Sequence, residues 1–327
     1  MAEAGGARRV AVWDSPALTA DCWTALGALS QNLSAMPIGL AVTNPVTRHP
    51  VVTANAARSI ADETAGRMFL GIGSGDSGVV NLRAARSTLA YLREYVICVR
   101  ALLTQGRAQW QGSEVYLAKP ASFPVPIYVA AHGMRSVRTA AEIGDGILIG
   151  LGISPAVIGQ VLDVVEDTCL RFGRDPAAVD LRWTLGGIAI AASEEKALEQ
   201  LGWLVAPMSH HFSGQTPQSS LVPVELAEPV RILGRSYDLS IHGRNTHRSK
   251  GEYVRMAKDL GVWEYLRERF LVCGTAAAVG RQLQALAKLG ASSFEVSTSA
   301  CGTDGVAQIL RLAQAVNAPA RPSGAAS

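Results

Sequence analysis

The sequence contains few charged residues, few aromatic residues and few cysteines. Charged residues make up 17% and aromatic residues 6% of the 327 positions, whereas 48% are apolar, so the chain can bury a large core. Its 30 Lys and Arg residues leave a formal net charge of only +3 and form no basic run, which argues against a nucleic-acid partner. The 5 cysteines are odd in number and include no C-x-x-C pair. We therefore expect neither a disulfide framework nor a structural zinc site.

Long hydrophobic runs are absent too. No stretch of ~18 consecutive apolar residues occurs, and residues 1–12 contain no apolar leader segment, so we expect no membrane association. The unpaired cysteines fit a reducing compartment. The sequence thus predicts a soluble, cytoplasmic protein.

Strand and helix patterns alternate along most of the chain. We predict seven strands, at residues 9–13, 38–43, 67–73, 126–131, 145–150, 182–191 and 293–297. Such alternation is typical of a parallel sheet covered by helices, and a (β/α)8 barrel needs one strand more. The opening Ala-Glu-Ala-Gly-Gly reads like the end of a helix. We therefore expect an α/β fold, a (β/α)8 TIM barrel that lacks its first βα unit at the N-terminus.

Residues 207–252 interrupt this alternation. The segment is rich in Ser, Pro and Gly, and it holds four of the 6 histidines, His210, His211, His242 and His247. These histidines lack helical i,i+4 spacing and neighbouring carboxylates, so we predict no metal site. We expect an insertion with short helices at most, acting as a lid over the pocket. We expect residues 1–317 to form a single domain that includes this insertion, and the composition of residues 318–327 predicts a disordered tail.

The segment Gly71-Ile-Gly-Ser-Gly-Asp76 follows a predicted strand and precedes a helix. It does not complete the G-x-G-x-x-G spacing of a dinucleotide site, and no acidic residue ends a strand ~20 residues later. We favour a loop at the carboxyl end of a barrel strand, where barrel active sites lie, with Asp76 and Ser77 facing the pocket. A plain glycine turn is the alternative.

Two segments together resemble the bacterial luciferase-like oxidoreductase superfamily. They are Ala41-Val-Thr-Asn-Pro-Val-Thr-Arg-His-Pro50 and Gly66-Arg-Met-Phe-Leu-Gly-Ile-Gly-Ser-Gly-Asp-Ser77. The similarity is nearest to the branch that includes the deazaflavin-dependent methylenetetrahydromethanopterin reductases, and it covers about residues 7–317. Further matching segments are 127–133, 140–146, 172–176 and 269–274. The resemblance implies a luciferase-type barrel that binds FMN or a deazaflavin at the carboxyl ends of its strands.

The resemblance also implies where the cofactor ring lies. Many members have a non-prolyl cis peptide bond in the strand that corresponds to residues 38–43, which here would join Ala41 to Val42. An ordinary trans strand is the alternative. Side chains after this bond would hydrogen-bond the polar edge of the ring, and the glycine-rich loop would form the adjoining wall. The residues implied in the ring site are Ala41, Val42, Thr43, Asn44, Gly73 and Asp76.

The cofactor phosphate needs backbone N–H donors at helix N-termini. The resemblance places them in two loops, at residues 131–135 and 150–154. Relatives often have Gly-Pro-Lys where this chain has Gly133-Met134-Arg135, and Arg135 keeps the positive charge. The alternative for Ser154 is a simple helix cap. The residues implied in phosphate binding are Ala131, His132, Gly133, Met134, Gly150, Gly152 and Ile153.

Some deazaflavin enzymes of this superfamily have Asp-His where this chain has Asp14-Ser15, with the histidine near the reactive ring carbon. The catalytic candidates here are Ser15, Asp76 and His242. The replacement favours an FMN-dependent monooxygenase that acts on a small organic substrate, with a separate flavin reductase as partner. A coenzyme F420-dependent hydride-transfer reductase and a non-catalytic partner subunit are the alternatives. Because luciferase-like proteins often pair subunits, a homodimer is expected.

Overall fold

The computed structural model describes residues 7–242 and 247–297, together with residues 307 and 310. Of Ile241 and residues 247–250 only the backbone is described. The predicted tail at 318–327 lies outside the described residues.

Seven parallel strands form a curled sheet in the order β1-β2-β3-β6-β7-β8-β11, with β1 and β11 at its two edges. A parallel pair, β9 and β10, lies beside it, and an antiparallel hairpin is formed by β4 and β5. The predicted α/β architecture, a parallel sheet with helices outside it, is confirmed. The strands of the described residues are β1 (Val10–Val12), β2 (Ile38–Thr43), β3 (Met68–Ile72), β4 (Arg107–Trp110), β5 (Ser113–Tyr116), β6 (Ile127–Ala131), β7 (Gly146–Ile149), β8 (Asp180–Thr184), β9 (Gly187–Ile190), β10 (Leu271–Gly274) and β11 (Phe294–Glu295).

Helices connect the parallel strands and cover the outer face of the sheet. None of those in the described ranges is long and apolar enough to cross a bilayer. The helices are α1 (Cys22–Asn32), α2 (Pro50–Glu63), α3 (Ser77–Val80), α4 (Leu89–Gln105), α5 (Met134–Ile143), α6 (Pro155–Arg171), α7 (Glu194–Leu201), α8 (Val205–His210), α9 (Pro217–Ser220), α10 (Val224–Arg235), α11 (His247–Asp259), α12 (Trp263–Phe270) and α13 (Ala276–Lys288).

The strands bury different side chains on their two faces. In β3, Leu70 and Ile72 belong to the large core between sheet and helices, whereas Phe69 points to the inner face and packs with Tyr128 and Leu148. Alternation with a period of two places successive side chains on opposite faces of a strand. Because both faces are buried, β3 is apolar throughout, as expected for a parallel strand covered on both sides.

The prediction of one strand at residues 182–191 is wrong. The segment forms β8 and β9, and β9 leaves the main sheet to pair with β10, which the sequence analysis missed. The chain turns at Gly186, where a Cβ would lie 2.8 Å from Cβ of Phe270. Glycine therefore allows the backbone of the turn to approach the end of α12. At four residues, β10 is too short to show a strand period directly after a helix.

A helical lobe, residues 194–270, comprises α7 to α12 and contains the predicted insertion. It has an apolar core of its own, which includes Trp203, Phe212, Leu233 and Trp263. The prediction of short helices at most is wrong for α10 and α11, which have 12 and 13 residues. These helices form because their apolar side chains bury against that second core, and such packing stabilises helices more than propensity does.

Candidate functional site

The carboxyl ends of the strands and the helical lobe enclose a cavity of about 1280 Å³. This volume exceeds the range of roughly 300–1,000 Å³ that is usual for ligand sites. The strand ends contribute residues 41–44, 73–78, 132–133 and 135–136, and the lobe contributes Trp203 and His242 among others. The predicted loop at 73–76 therefore lies in the cavity wall, as a barrel site requires.

One wall of the cavity is flat and apolar. It consists of Ala41, Val42, Ala130 and Leu148, which we call the apolar floor. The peptide bond between Ala41 and Val42 is cis, as predicted. Gly73 lies beside the floor, where a Cβ would come within 3.0 Å of Val42 Cγ2 and 3.3 Å of Ala130 Cβ. Glycine at this position thus keeps the wall flat enough for a planar group.

Thr43 and Asn44, the polar residues that follow Val42, already make hydrogen bonds within the protein. Thr43 Oγ1 donates a hydrogen bond to Asp14 Oδ2 at 2.7 Å. The Asn44 carbonyl oxygen, Oδ1, accepts from the backbone N–H groups of Val46 and Thr47, at 2.9 and 3.0 Å. Thr43 is left as an acceptor, and Asn44 keeps its amide donor for a ligand. The two predicted contacts to a ring edge therefore have different chemical roles.

Asp76 is held as a carboxylate by partners from two directions. Arg86 Nη2 donates to Asp76 Oδ1 and also lies 2.9 Å from His210 Nε2. His210 Nδ1 lies 3.2 Å from the Gly234 carbonyl, and its Nε2 lies 3.6 Å from Asp76 Oδ1. Burial opposes ionisation, but the neighbouring His210 and the Arg86 guanidinium hold the pKa of Asp76 well below its usual range. Asp76 is therefore not poised to donate a proton.

His242 lines the cavity beside the end of β1. Its ring packs edge-to-face on Trp13, with the centroids 5.7 Å apart, and its Nδ1 lies 3.0 Å from the Tyr237 hydroxyl. Burial lowers the pKa of His242. The imidazole is thus neutral near pH 7 and can exchange a proton with a bound molecule. No three His, Cys, Asp or Glu side chains in the described ranges are placed to hold a metal ion.

Five predicted site residues do not line the cavity. Ser15 is 1% exposed, and its hydroxyl donates to Ser77 Oγ at 3.0 Å, so the structure does not bring it to a ligand. The second phosphate loop turns away because Ile153 N bonds to the Arg269 carbonyl at 2.8 Å. Ala131, Met134 and Gly152 are buried and do not face the cavity. These five residues are Ser15, Ala131, Met134, Gly152 and Ile153.

Arg269 fastens the helical lobe to the barrel. The side chain is fully buried, and its Nε donates to the Leu151 carbonyl at 2.8 Å. The other nitrogens donate to the carbonyls of Ser220 and Leu221, at 2.5 and 3.0 Å. The guanidinium also bonds to the Tyr265 hydroxyl. These acceptors satisfy a charge that is costly to bury unpaired, and they fix the lobe over the cavity.

A polar layer lies behind the apolar floor inside the barrel. The Arg182 guanidinium stacks 3.5 Å from the Tyr128 ring centroid and 4.8 Å from that of Phe69. Its Nε donates to Asp180 Oδ2 at 3.1 Å. Glu295 lines the same end of the cavity, and burial raises its pKa to about 7. The two aromatic rings pack against the floor residues and so support the flat wall.

Most of the wall that the lobe contributes matches no sequence motif. Its residues Trp203, Gln215 and Tyr237 lie far apart in sequence, as does Arg86 from the barrel side. One signal was available in the histidines of residues 207–252: His211 and His242 line the cavity, and His210 contacts Asp76. Only packing of the lobe against the barrel brings them to the strand ends.

Comparison with known proteins decides the family. The sequence profile of the family described as luciferase-like monooxygenase matches residues 1–293. The chain belongs to the luciferase-like monooxygenase family. The predicted resemblance is thereby confirmed, and the enzymes of this luciferase-like family are oxidoreductases.

Two curated relatives are about one third identical to this chain over the aligned residues. It is 34% identical over 291 residues to the 5,10-methylenetetrahydromethanopterin reductase of Archaeoglobus fulgidus, a match that covers 86% of this chain and 82% of that one. It is 31% identical over 169 residues to the F420-dependent glucose-6-phosphate dehydrogenase of Segniliparus rotundus, covering 47% of this chain. The chain spans about half the length of that dehydrogenase, 50%.

A solved luciferase-like structure shows the same fold. The coenzyme F420-dependent tetrahydromethanopterin reductase from Methanopyrus kandleri superposes with a TM-score of 0.72. The two sequences are 19% identical, and the match covers 95% of this chain and 90% of that one. At this identity the likeness concerns the fold alone.

Proposed function

We propose that this luciferase-like protein is a deazaflavin-dependent oxidoreductase, which transfers a hydride between coenzyme F420 and a small organic substrate. The observation that carries the proposal is the 34% identity to a methylenetetrahydromethanopterin reductase over 86% of the chain. The F420-dependent dehydrogenase among the relatives supports the choice of cofactor. The FMN-dependent monooxygenase favoured from Ser15 becomes the second candidate.

The cavity fits a tricyclic ring with a phosphate-bearing tail. The apolar floor offers a flat surface, which a Cβ at Gly73 would obstruct. The free amide donor of Asn44 suits a carbonyl or nitrogen at the ring edge. Ring contacts by Ala41, Val42 and Thr43 stay proposals on the same grounds.

The phosphate is proposed to bind at the N-terminus of α5. This helix, Met134–Ile143, has 10 residues, and its N-cap residue Gly133 has no side chain that could accept from the N–H groups of the first turn. Its first N–H groups and the helix dipole favour an anion. Arg135 and Ser136 line the cavity at the same place. His132 and Gly133 border this end, and Gly150 faces His132, where a Cβ would lie 2.3 Å from its ring.

A bound deazaflavin supplies the hydride acceptor or donor, and the protein supplies orientation and the accompanying proton. We assign the proton transfer to His242, because it lines the cavity and is not committed to an ion pair. Tyr237 orients its ring through Nδ1. Asp76 holds Arg86 and His210 in place rather than donating a proton. The helical lobe limits the access of water to this group.

Anaerobic titration with F420 and with FMN tests the proposal. We expect saturable binding of F420 in the micromolar range, on the order of −8 kcal/mol, and weaker binding of FMN. Reduced F420 should then be oxidised by organic acceptors without oxygen. Failure to bind either cofactor would sink the enzyme proposal and favour the non-catalytic subunit.

The second candidate, an FMN-dependent monooxygenase, is favoured by the buried Ser15. The position after Asp14 carries no titratable side chain, and Ser15 is engaged by Ser77. Oxygen consumption by the protein loaded with reduced FMN, in the presence of substrate, would establish this activity. The predicted flavin reductase and the homodimer stay predictions.

A further inference from the structure

The helical lobe meets the barrel at the N-terminus of α5. Gln215 Nε2 donates to the carbonyls of His132 and His211, at 2.7 and 2.8 Å. Ser219 Oγ donates to Gln215 Oε1 at 3.0 Å. A Cβ at Gly133 would lie 2.3 Å from Gln215 Oε1. The Gln215 carboxamide therefore covers the end of the helix where we place the cofactor phosphate.

Two imidazole rings also contact each other where the lobe meets the barrel. His132, at the end of β6, stacks on His211 of the lobe, with ring centroids 4.2 Å apart and an interplanar angle of 27°. Burial lowers the pKa of both rings, that of His211 strongly, since each lies against the other. A stack of this kind is stable while both rings are neutral, because a proton on either one must be held in a poorly solvated place.

The charged groups around this stack have opposite effects on the protonation of its two rings. Asp76 favours a proton on either ring, whereas Arg86 disfavours it on His132. On the lobe, His210 and His242 disfavour a proton on His211. Arg135, on the first turn of α5, adds positive charge at the same end of the cavity. Because Asp76 is already paired with Arg86, the ion pair neutralises most of the attraction of Asp76 for a proton on the two rings.

We propose that His132, His211 and Gln215 form a pH-dependent latch, which closes the lobe over the N-terminus of α5 and opens when the histidine pair takes up a proton. The ligand it controls is an anionic phosphate group on a larger molecule. That ligand assignment rests on the proposed function, whereas the latch itself does not.

The sign of the effect follows from the neutral stack. A histidine whose pKa is lowered in the closed state binds its proton more tightly when the lobe is open. The closed state is therefore favoured above the ordinary imidazole pKa of about 6.5. It loses stability as the pH falls below that value. Opening removes Gln215 from Gly133 and exposes the N–H groups of α5 to an anion.

Amide hydrogen exchange of the intact protein tests the latch without any cofactor. After correction for intrinsic rates, we expect exchange of residues 211–221 to rise on the order of tenfold between pH 8 and pH 5.5, which corresponds to one pKa unit of linkage. His211→Phe keeps an aromatic ring in the stack but cannot be protonated, so its exchange should stay nearly flat with pH. His49→Asn, a helix-cap residue away from the cavity, should behave like the wild type.

A flat wild-type profile, or a His211→Phe profile as steep as that of the wild type, would overturn the latch. Circular dichroism and thermal melting at pH 8 establish that the variant is folded. Inorganic phosphate is the probe for the ligand. We expect it to speed exchange of residues 211–221 at pH 6, as the anion displaces Gln215. An exchange rate that phosphate leaves unchanged would overturn the phosphate assignment. The latch itself would then be judged from the pH dependence alone.

Discussion

The two walls of the cavity are built in different ways. The barrel wall consists of strand ends with small or apolar residues, such as Ala41 and Gly73, so backbone shape defines it. The lobe wall includes titratable side chains, such as His211, which stacks on His132, and His242, whose Nδ1 lies 3.0 Å from the Tyr237 hydroxyl. The difference indicates a division of labour. Under the proposed function, the barrel wall provides a surface for a flat cofactor, and the lobe wall provides acid–base groups and controls access.

This division depends on two separate cores. The barrel packs sheet against helices, whereas the lobe packs α7 to α12 around residues such as Trp203 and Phe270. Arg269 joins the two through carbonyls of Leu151, Ser220 and Leu221. Changes in one wall should therefore leave the other largely intact, unless the joint itself is broken.

Breaking the joint should have the largest effect. Arg269→Met leaves buried carbonyls of both parts without donors, so we expect a loss of about 3 kcal/mol in the free energy of unfolding. Urea unfolding, followed by circular dichroism, measures this loss. Arg267→Met on the same helix is the control. Its ion pairs with Glu194, Glu264 and Glu268 involve exposed carboxylates, and a loss of about 1 kcal/mol is expected. Equal losses in both variants would contradict the role of Arg269.

Removing the acid–base group from the lobe wall should abolish most of the turnover. We expect His242→Gln to lower kcat on the order of 100-fold, as is usual when a general acid or base is removed. Steady-state kinetics with F420 measures the change. His49→Gln, which alters a histidine at the start of α2, should leave kcat within about twofold. A His242→Gln enzyme with wild-type kcat would exclude His242 as the proton carrier.

Roughening the barrel wall should weaken cofactor binding. In Gly73→Ala the new methyl group lies 3.0 Å from Val42 Cγ2, so the floor must shift or the ring must rise. We expect the dissociation constant of F420 to increase about tenfold, or about 1.4 kcal/mol. Fluorescence titration measures it. Gly159→Ala on α6, where a Cβ meets nothing within 4 Å, should bind like the wild type.

The smallest expected effect is the change of kcat with pH, and this profile tests the role of His242. In the direction of substrate oxidation, neutral His242 accepts a proton. Because burial lowers its pKa, kcat should reach its plateau below the ordinary imidazole pKa of about 6.5 and decline only at more acidic pH. An apparent pKa above 7 would contradict this assignment, as would an unchanged profile in His242→Gln.

The barrel wall could be predicted from the sequence, whereas the lobe wall could not. Strand periods predicted the parallel sheet, and the family resemblance carried by the segment at 41–50 implied the cis bond between Ala41 and Val42, which the structure contains. The split of residues 182–191 was missed because an apolar run looks the same in one strand as in two. The ion pair of Arg86 with Asp76, and the stack of His132 on His211, join distant segments through tertiary packing. Local sequence patterns do not predict such contacts.

The dissociation constant of F420, measured side by side for Gly73→Ala and His242→Gln, tests the division of labour most directly. We predict an increase of about tenfold for Gly73→Ala and a value within about twofold of the wild type for His242→Gln. The reverse pattern, with binding weakened by His242→Gln and unaffected by Gly73→Ala, would contradict the account.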